Sequence, residues 1–325
     1  MRKRLLPLAI AGAFAASAIA SGAAFAQAYP TKPIRTVLTV QGGVENAVRV
    51  LTDKMSVALG QAVVLDPQSA AGGAVGASMV ARAAPDGYTL AYATTSAMVL
   101  RPFLTKNTPY DTLKDFTPIS MVGEAVACMV ASSTLPVNNL QEFIAYAKAN
   151  PGKISFGSSG VGTTHHLSGE VMQQVTGIKM VHVPYKSGGQ SMTDLLTGQV
   201  QITFGVLASA GGFIDSGKIK LLAINGSKRY PKYPNVPTVN EQLPSYDRPP
   251  GWMAFLGPAG MAQPITRRLH SEIVKGMNDP QVAAMYEKFG LVVETSESPE
   301  AFAAELKRQY EKTGALVKAV GIQPE

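Results

Sequence analysis

Residues 34–60 read Ile34-Arg-Thr-Val-Leu-Thr-Val40, then Gln41-Gly42-Gly43, then VENAVRVLTDKMSVALG from Val44 to Gly60. The first seven residues are rich in β-branched side chains and predict a strand. After the glycine turn, Val48, Leu51, Met55 and Leu59 recur at helical spacing and form one apolar face, which Gly60 stops. A strand passed through a glycine turn into an amphipathic helix is the repeating unit of a parallel sheet covered by helices. The unit recurs at once: Ala62–Leu65 predicts a strand, Gly73–Ala83 a helix, and Tyr88–Ala93 a strand after the turn Pro85-Asp86-Gly87. The fold class is therefore α/β.

A second set of the same units follows Phe116. Met121–Ser132 is a long apolar segment, Leu140–Ala147 a helix ended by Asn150-Pro151-Gly152, and Ile154–Phe156 a strand. Thr163–Thr176 carries Leu167, Val171 and Val175 on one helical face and is closed by Gly177. Strands at Met180–Val183, Val200–Phe204 and Ile219–Ile224 alternate with helices near Ser191–Leu196 and Ala208–Asp215. Proline-rich connections run from Tyr230 to Pro237 and from Leu243 to Pro250, and the remainder is helical apart from Gly251–Leu256 and Leu291–Glu294. Ser298-Pro299-Glu300 supplies an N-cap with proline at the first helical position. The pattern predicts two lobes joined by two hinge strands, near Val126–Ala131 and Leu221–Asn225. Residues 27–127 and 226–325 would form one lobe and 128–225 the other, with a ligand crevice beyond the carboxyl ends of the strands.

The chain has 325 residues, of which 46% are hydrophobic and 16% charged, enough to build a large core in each of two domains. Arg2, Lys3 and Arg4 precede an apolar stretch from Leu5 to Ala20 that closes on Ala24-Phe25-Ala26, the pattern of a secretory leader cut before Gln27. Read instead as a membrane anchor, the run is interrupted by Gly12, Ser17 and Ser21 and is short of the ~20 apolar residues a span requires. The leader holds three of the positive charges behind a formal net charge of +7, and no basic cluster with interleaved aromatics follows. No nucleic-acid partner is expected, whereas a mild positive excess suits small anions. Cys128 is the single cysteine, so no intrachain disulfide forms. It lies within Val126-Ala-Cys-Met-Val130 and reads as a small buried hydrophobe rather than a nucleophile.

Three turns link a strand to a helix start: Gln41–Asn46, Gly72–Gly76 and Gly157–His165. Free backbone N–H groups there, at the positive end of the helix dipole, can hold an anion without lysine or arginine. The third turn adds the hydroxyls of Ser158, Ser159, Thr163 and Thr164 as neutral donors. The same residues also serve as ordinary turn and cap formers. No Gly-x-x-x-x-Gly-Lys-Ser/Thr occurs and the first turn lacks Gly-x-Gly-x-x-Gly, so no nucleotide cofactor is implied. The third turn departs from Gly-x-Ser-x-Gly, and His165 follows too closely to reach back freely as a base for Ser158 or Ser159. His165 reads more simply as a first-turn donor into the crevice. No metal site is expected: His165 and His166 are adjacent and diverge on a helix, His182 and His270 lie elsewhere, and no His-Glu-x-x-His is present.

Taken in order, several motifs resemble one family. They are Tyr29-Pro30-x-Lys32-Pro33-Ile34-Arg35, Ala71-Gly72-Gly73-x-x-Gly76-Ala77, Ala84-Pro85-Asp86-Gly87-Tyr88-Thr89-Leu90 and Tyr110-Asp111-x-x-x-Asp115-Phe116-x-Pro118. Further on stand Pro151-Gly152-Lys153, Gly157-Ser158-Ser159-Gly160-x-Gly162-x-x-x-His166-Leu167, His182-Val183-Pro184-Tyr185-Lys186, Asp194-Leu195-Leu196-x-Gly198-Gln199-Val200 and Pro234-x-Val236-Pro237-Thr238. Over nearly its whole length the chain resembles the Bug-type extracytoplasmic solute receptors of tripartite tricarboxylate transporters. The resemblance implies a periplasmic binding protein type II-like fold, a monomer that closes on a small carboxylate and docks on membrane transporter subunits. It places the ligand against Val40, Gln41, Gly42, Gly43, Asn46, Thr94, Thr95 and Ser96 from one lobe. From the other come Ser158, Ser159, Gly160, Gly162, Thr163, Thr164, His165, Phe204 and Gly205. Two departures bear on specificity. Asn46, after Glu45, replaces the family's usual acidic residue, and Gly205 stands where many members carry aspartate. Without those carboxylates the crevice lacks a countercharge for an ammonium group, so the expected ligand is an amine-free mono- or dicarboxylate, with Gly205 making room. The alternatives are a secreted serine hydrolase using Ser159 and His165, and a sensor that signals when loaded.

Overall fold

The computed structural model describes residues 29–40, 44–319 and 321–324. The leader with its cleavage point before Gln27, and the turn Gln41-Gly42-Gly43, lie outside the described residues. In chain order the first elements are β1 (Ile34–Leu38), α1 (Val44–Leu59), β2 (Val63–Pro67), α2 (Ala74–Ala81), β3 (Thr89–Thr94), α3 (Arg101–Leu104), β4 (Phe116–Ala125) and β5 (Ala127–Ser132). The middle of the chain gives α4 (Leu140–Ala149), β6 (Ile154–Ser158), α5 (Thr164–Thr176), β7 (Met180–Pro184), α6 (Gly188–Thr197), β8 (Ile202–Val206), α7 (Leu207–Asp215) and β9 (Ile219–Ile224). There follow α8 (Val239–Gln242), β10 (Trp252–Pro258), α9 (Gln263–Met277), α10 (Pro280–Lys288), β11 (Leu291–Val292) and α11 (Pro299–Ala319).

Two sheets carry these elements, in the orders β11-β4-β10-β3-β1-β2 and β7-β6-β8-β5-β9. In the first, β1 pairs parallel with β2 and β3, as the strand-turn-helix reading requires, and β10 is inserted antiparallel between β3 and β4. In the second, β6 pairs parallel with β7 and β8, and β5 lies antiparallel to β8 and β9. The reversed strand next to the parallel triplet is, in each sheet, the one that arrives from the other sheet. The apolar segment Met121–Ser132 is thus two strands, divided at Val126, because its two halves pair in different sheets. The return is longer: Ile224 bridges Thr238, and Tyr246 donates its hydroxyl to the Ser168 carbonyl at 3.3 Å before the chain re-enters the first sheet at Trp252.

Side-chain burial explains the layers. Val48, Leu51, Met55 and Leu59 are buried together with Leu269, Ile273 and Met277 of α9, so α1 covers the first sheet with the face its spacing specifies. Each such side chain contributes about 1.5–3 kcal/mol through removal from water. In the second lobe Thr163 caps α5, its hydroxyl accepting from the His166 N–H, and Gly177 ends the helix with φ 72°. One stretch has no counterpart in the sequence reading. Ser96–Leu100 winds as a π-helical turn that runs into α3, and four of its five side chains are buried, so it shows no amphipathic period.

Candidate functional site

A cavity of about 590 Å³ opens between the lobes at the carboxyl ends of β1, β3, β6 and β8 and at the starting ends of β5 and β10. From the first lobe it is lined by Thr39, Val40, Val44, Ser69–Gly72 and Thr94–Ser96, and near the crossover by Ala125, Gly251–Met253, Phe289 and Leu291. Ala127 lines it at the crossover itself, and from the second lobe it is lined by Ser159, Thr163, Thr164, His165, Lys186, Val206 and Ala208. The lobes touch across it, with Ser96 Oγ 3.4 Å from Thr164 Oγ1.

The structure brings Val40, Thr94, Thr95, Ser96, Ser159, Thr163, Thr164 and His165 together in this cavity. The hydroxyl of Thr95 is already committed, donating to the Trp252 carbonyl at 3.1 Å. Asn46 is exposed on α1 and does not line the cavity. Ser158, Gly160, Gly162, Phe204 and Gly205 are also absent from its wall. Gly205 faces the second sheet's own interior, since a Cβ built on it would lie 3.7 Å from Thr203 Cγ2 and 3.8 Å from Met192 Cε. The next residue, Val206, reaches the cavity instead. Gln41, Gly42 and Gly43 lie outside the described residues.

The turn after β6 is shaped by its own buried contacts. Ser158 Oγ lies 2.7 Å from His182 Nε2 and accepts from the Gly160 N–H at 3.1 Å. His182 stacks on His166 with ring centroids 4.0 Å apart, and on its other side packs against Phe156 at 4.8 Å. The Gly162 N–H donates to His166 Nδ1 at 3.3 Å, which leaves Nε2 of a neutral ring carrying the proton toward Glu170, 3.7 Å away. Burial holds both imidazoles neutral, pushing each down to about 4. Ser158 and the two histidines therefore fix the loop, while Ser159 and Thr163 present its face.

Gly160 (φ 120°) and Gly162 (φ 77°) fold this loop back on the first turn of α5. As a result Ser159 Oγ lies 2.9 Å from His165 Nδ1, although proximity in sequence predicted that His165 does not reach it. Burial lowers His165 to about 4, so the ring is neutral near pH 7. Whichever partner donates in this bond, one N–H or O–H of the pair remains unspent. No carboxylate among the described residues bonds His165, so nothing of that kind orients it as a base. His166 turns toward His182 and Glu170, away from its neighbour. Cys128 is fully buried in β5, where desolvation pushes its thiol up to about 12.

The turn after β2, singled out by its glycines but not carried into the expected ligand set, forms part of the wall. Ala71, Gly72 and Gly73 are successively left-handed, with φ of 53°, 63° and 91°. A Cβ at Gly73 would fall 2.5 Å from the Thr39 carbonyl, so only glycine lets this turn sit on the end of β1. Arg101 pins it by donating to the Ala71 carbonyl at 2.9 Å. Trp252, Phe289 and Leu291 had no local signal, because they come from the distant carboxyl-terminal segments that β10 and β11 fold back into the first sheet.

Residues 47–322 match the tripartite tricarboxylate transporter family receptor model. Among solved structures the chain is similar to the periplasmic binding protein BugD, at 31% identity and a TM-score of 0.76 over 91% of this chain and all of that one (100%). It is similar to a Rhodopseudomonas palustris protein, Rpa4515, solved with adipate, at 26% identity and a TM-score of 0.81 over 91% and 100% of the two chains. A third, MatC from the same organism with bound malate, is 25% identical with a TM-score of 0.75 over 89% and 100%.

Proposed function

The chain belongs to the tripartite tricarboxylate transporter receptor family, and on that premise we propose that it captures a small amine-free carboxylate in the periplasm and delivers it to membrane transporter subunits. The observation that carries this reading is one cavity whose polar wall brings hydroxyls from both lobes together with the His165 imidazole and the Lys186 ammonium, and holds no carboxylate among the described residues. Ser159, Thr163 and Thr164 stand at the start of α5, where the helix dipole favours an anion, and Thr94 and Ser96 face them. Similarity to proteins solved with adipate and malate supports a carboxylate class. No Asp or Glu stands among the described cavity-lining residues, so an ammonium group meets no countercharge there, which supports the exclusion of amino acids. In this reading Gln41–Gly43 completes the carboxylate clamp, whereas Asn46 and Gly205, both off the cavity wall, take no part in it.

The monomer consists of two lobes that close on the ligand. We place residues 27–127 and 226–325 in one and 128–225 in the other, with 226–246 riding on the second lobe through Tyr246 and Ser168. The experiment is calorimetry and thermal shift on ligand-stripped protein with a panel of carboxylates and amino acids. A carboxylate at ~100 times its dissociation constant raises stability by ~2.7 kcal/mol. Tight binding of aspartate or glutamate would sink the amine-free reading.

The 2.9 Å contact between Ser159 and His165 favours one second reading, a secreted hydrolase. Ester or amide turnover abolished by Ser159→Ala would establish it, and stabilisation by carboxylates without turnover would dismiss it.

A further inference from the structure

A second cavity, of about 530 Å³, lies on the reverse side of the crossover. The pairing of β11 with β4 relates it to the first. Leu291 sits opposite Ala125 and both line the ligand cleft, whereas Val292 sits opposite Glu124 and both line the second cavity. Successive residues of a strand face opposite sides of its sheet, so the cavities stand back to back across this strand pair, with Ala125 touching both. One wall of the rear cavity belongs to the first lobe: Glu124, Val292, Val293 and Glu294, with Glu287 of α10, a helix whose Val282 and Tyr286 are buried in that lobe's core. The other wall is the return segment Gly226–Lys232, which is tied to the second lobe. Tyr230 packs on the core that holds Cys128 and Leu207, and Lys232 Nζ lies 2.6 Å from Asp215 at the end of α7.

These walls are opposite in charge, with Glu124, Glu287 and Glu294 on one and Lys228, Arg229 and Lys232 on the other. Glu124 is spent on Arg248, Arg229 on Glu241 and Lys232 on Asp215. Glu287, Glu294 and Lys228 are exposed and hold no ion pair among the described residues, and Val292 beside them is 42% exposed. In this structure the lobes touch in front, at Ser96 and Thr164, and stand apart behind. A rotation about the crossover that opens the ligand cleft therefore narrows the rear cavity. We propose that the rear walls form an electrostatic latch for the open, unliganded receptor: on opening, Lys228 meets Glu287 and Glu294, and the return segment covers Val292. The proposal rests on the closure of two lobes proposed above. An exposed ion pair shifts an equilibrium by only a few-fold, so the latch favours the open form and lowers apparent ligand affinity without blocking capture.

Spin labels on Lys106→Cys and Thr193→Cys, exposed positions on the two lobes, test this in the full chain with no ligand added. Cys128 is fully buried and leaves the label to the new cysteines. Closed and open forms give separate inter-label distances, the closed one being that of the present structure. The ligand-free protein is expected to populate mainly the open distance. Lys228→Glu, which sets like charges against each other, should raise the ratio of closed to open about five-fold at low salt, and molar salt should reproduce part of that shift by screening. Adding Glu287→Lys and Glu294→Lys to Lys228→Glu restores attraction and should return the original distribution. A ligand-free protein already closed, a distribution indifferent to Lys228→Glu, or one that does not return in the charge-swapped protein overturns the latch. No carboxylate enters this measurement, so its failure leaves the carboxylate reading standing, and failure of carboxylates to bind leaves the latch to be decided by the distances.

Discussion

Gly290 and Gly205 make opposite demands on a side chain. Gly290 has φ 68° and packs against Ala208 of the opposite lobe, so Gly290→Ala adds a strained backbone and a steric wedge at the crossover. We predict a loss of about 1–3 kcal/mol in unfolding free energy. Ligand affinity should fall at least about five-fold, because the wedge opposes closure; denaturant melts and calorimetry measure the two effects. At Gly205 an added methyl meets only ordinary contacts and no cavity wall, so Gly205→Ala is expected to leave affinity within about two-fold by the same titration. Thr163 both caps α5 and donates to the Gly160 carbonyl at 2.8 Å. Thr163→Val, which keeps the shape and removes both bonds, should cost about 1 kcal/mol of stability and weaken carboxylate binding. Unchanged affinity would mean that the shape of this turn, which these two bonds hold, does not matter to the ligand. At this scale the sequence marked Ser159, Thr163 and Thr164 because glycine, serine and threonine concentrate where a strand meets a helix. It did not distinguish them from Ser158, whose hydroxyl turns inward to His182 through contacts 24 residues distant.

The loop between β6 and α5 works as one unit with the stacked imidazoles beneath it. Protonating His166 or His182 places charge in a stack of rings whose neutral forms burial favours. Both have folded-state values depressed to about 4 from an ordinary 6.5. The unfolded chain therefore binds more protons than the folded one between those values. Stability is fully present above pH 6.5, declines as pH falls toward 4, and levels off below. His165 adds in the same direction. A thermal midpoint followed from pH 7 to 4 should drop by several degrees, and His182→Gln should flatten the slope while retaining a partner for Ser158. A midpoint that is level through this window would contradict the neutral stack. Most elements of the fold were legible from apolar spacing, because strand and helix periods alternate cleanly from Ile34 onward. Ser96–Leu104 was not, since a segment buried all round has no polar face to set its period.

At the scale of the molecule, the cavity exists only because two similar sheets face each other. The Ser96 to Thr164 contact spans the cleft, so ligand-linked closure should appear as a smaller radius of gyration in solution scattering when a binding carboxylate is added. Scattering curves that superimpose with and without a saturating ligand would argue for a preformed, rigid cleft. Two lobes were readable from the doubled series of strand, turn and helix. The apolar inner wall was not, because Phe289 and Leu291 reach Ala125 only through a return of the chain that no local pattern announces. That return has a consequence for how the polypeptide matures. β10 lies between β3 and β4, so nearly the whole middle of the chain must emerge before the first sheet can close. A chain ending before Trp252 thus lacks the strand that joins β3 to β4 and leaves both of those edges without their partner.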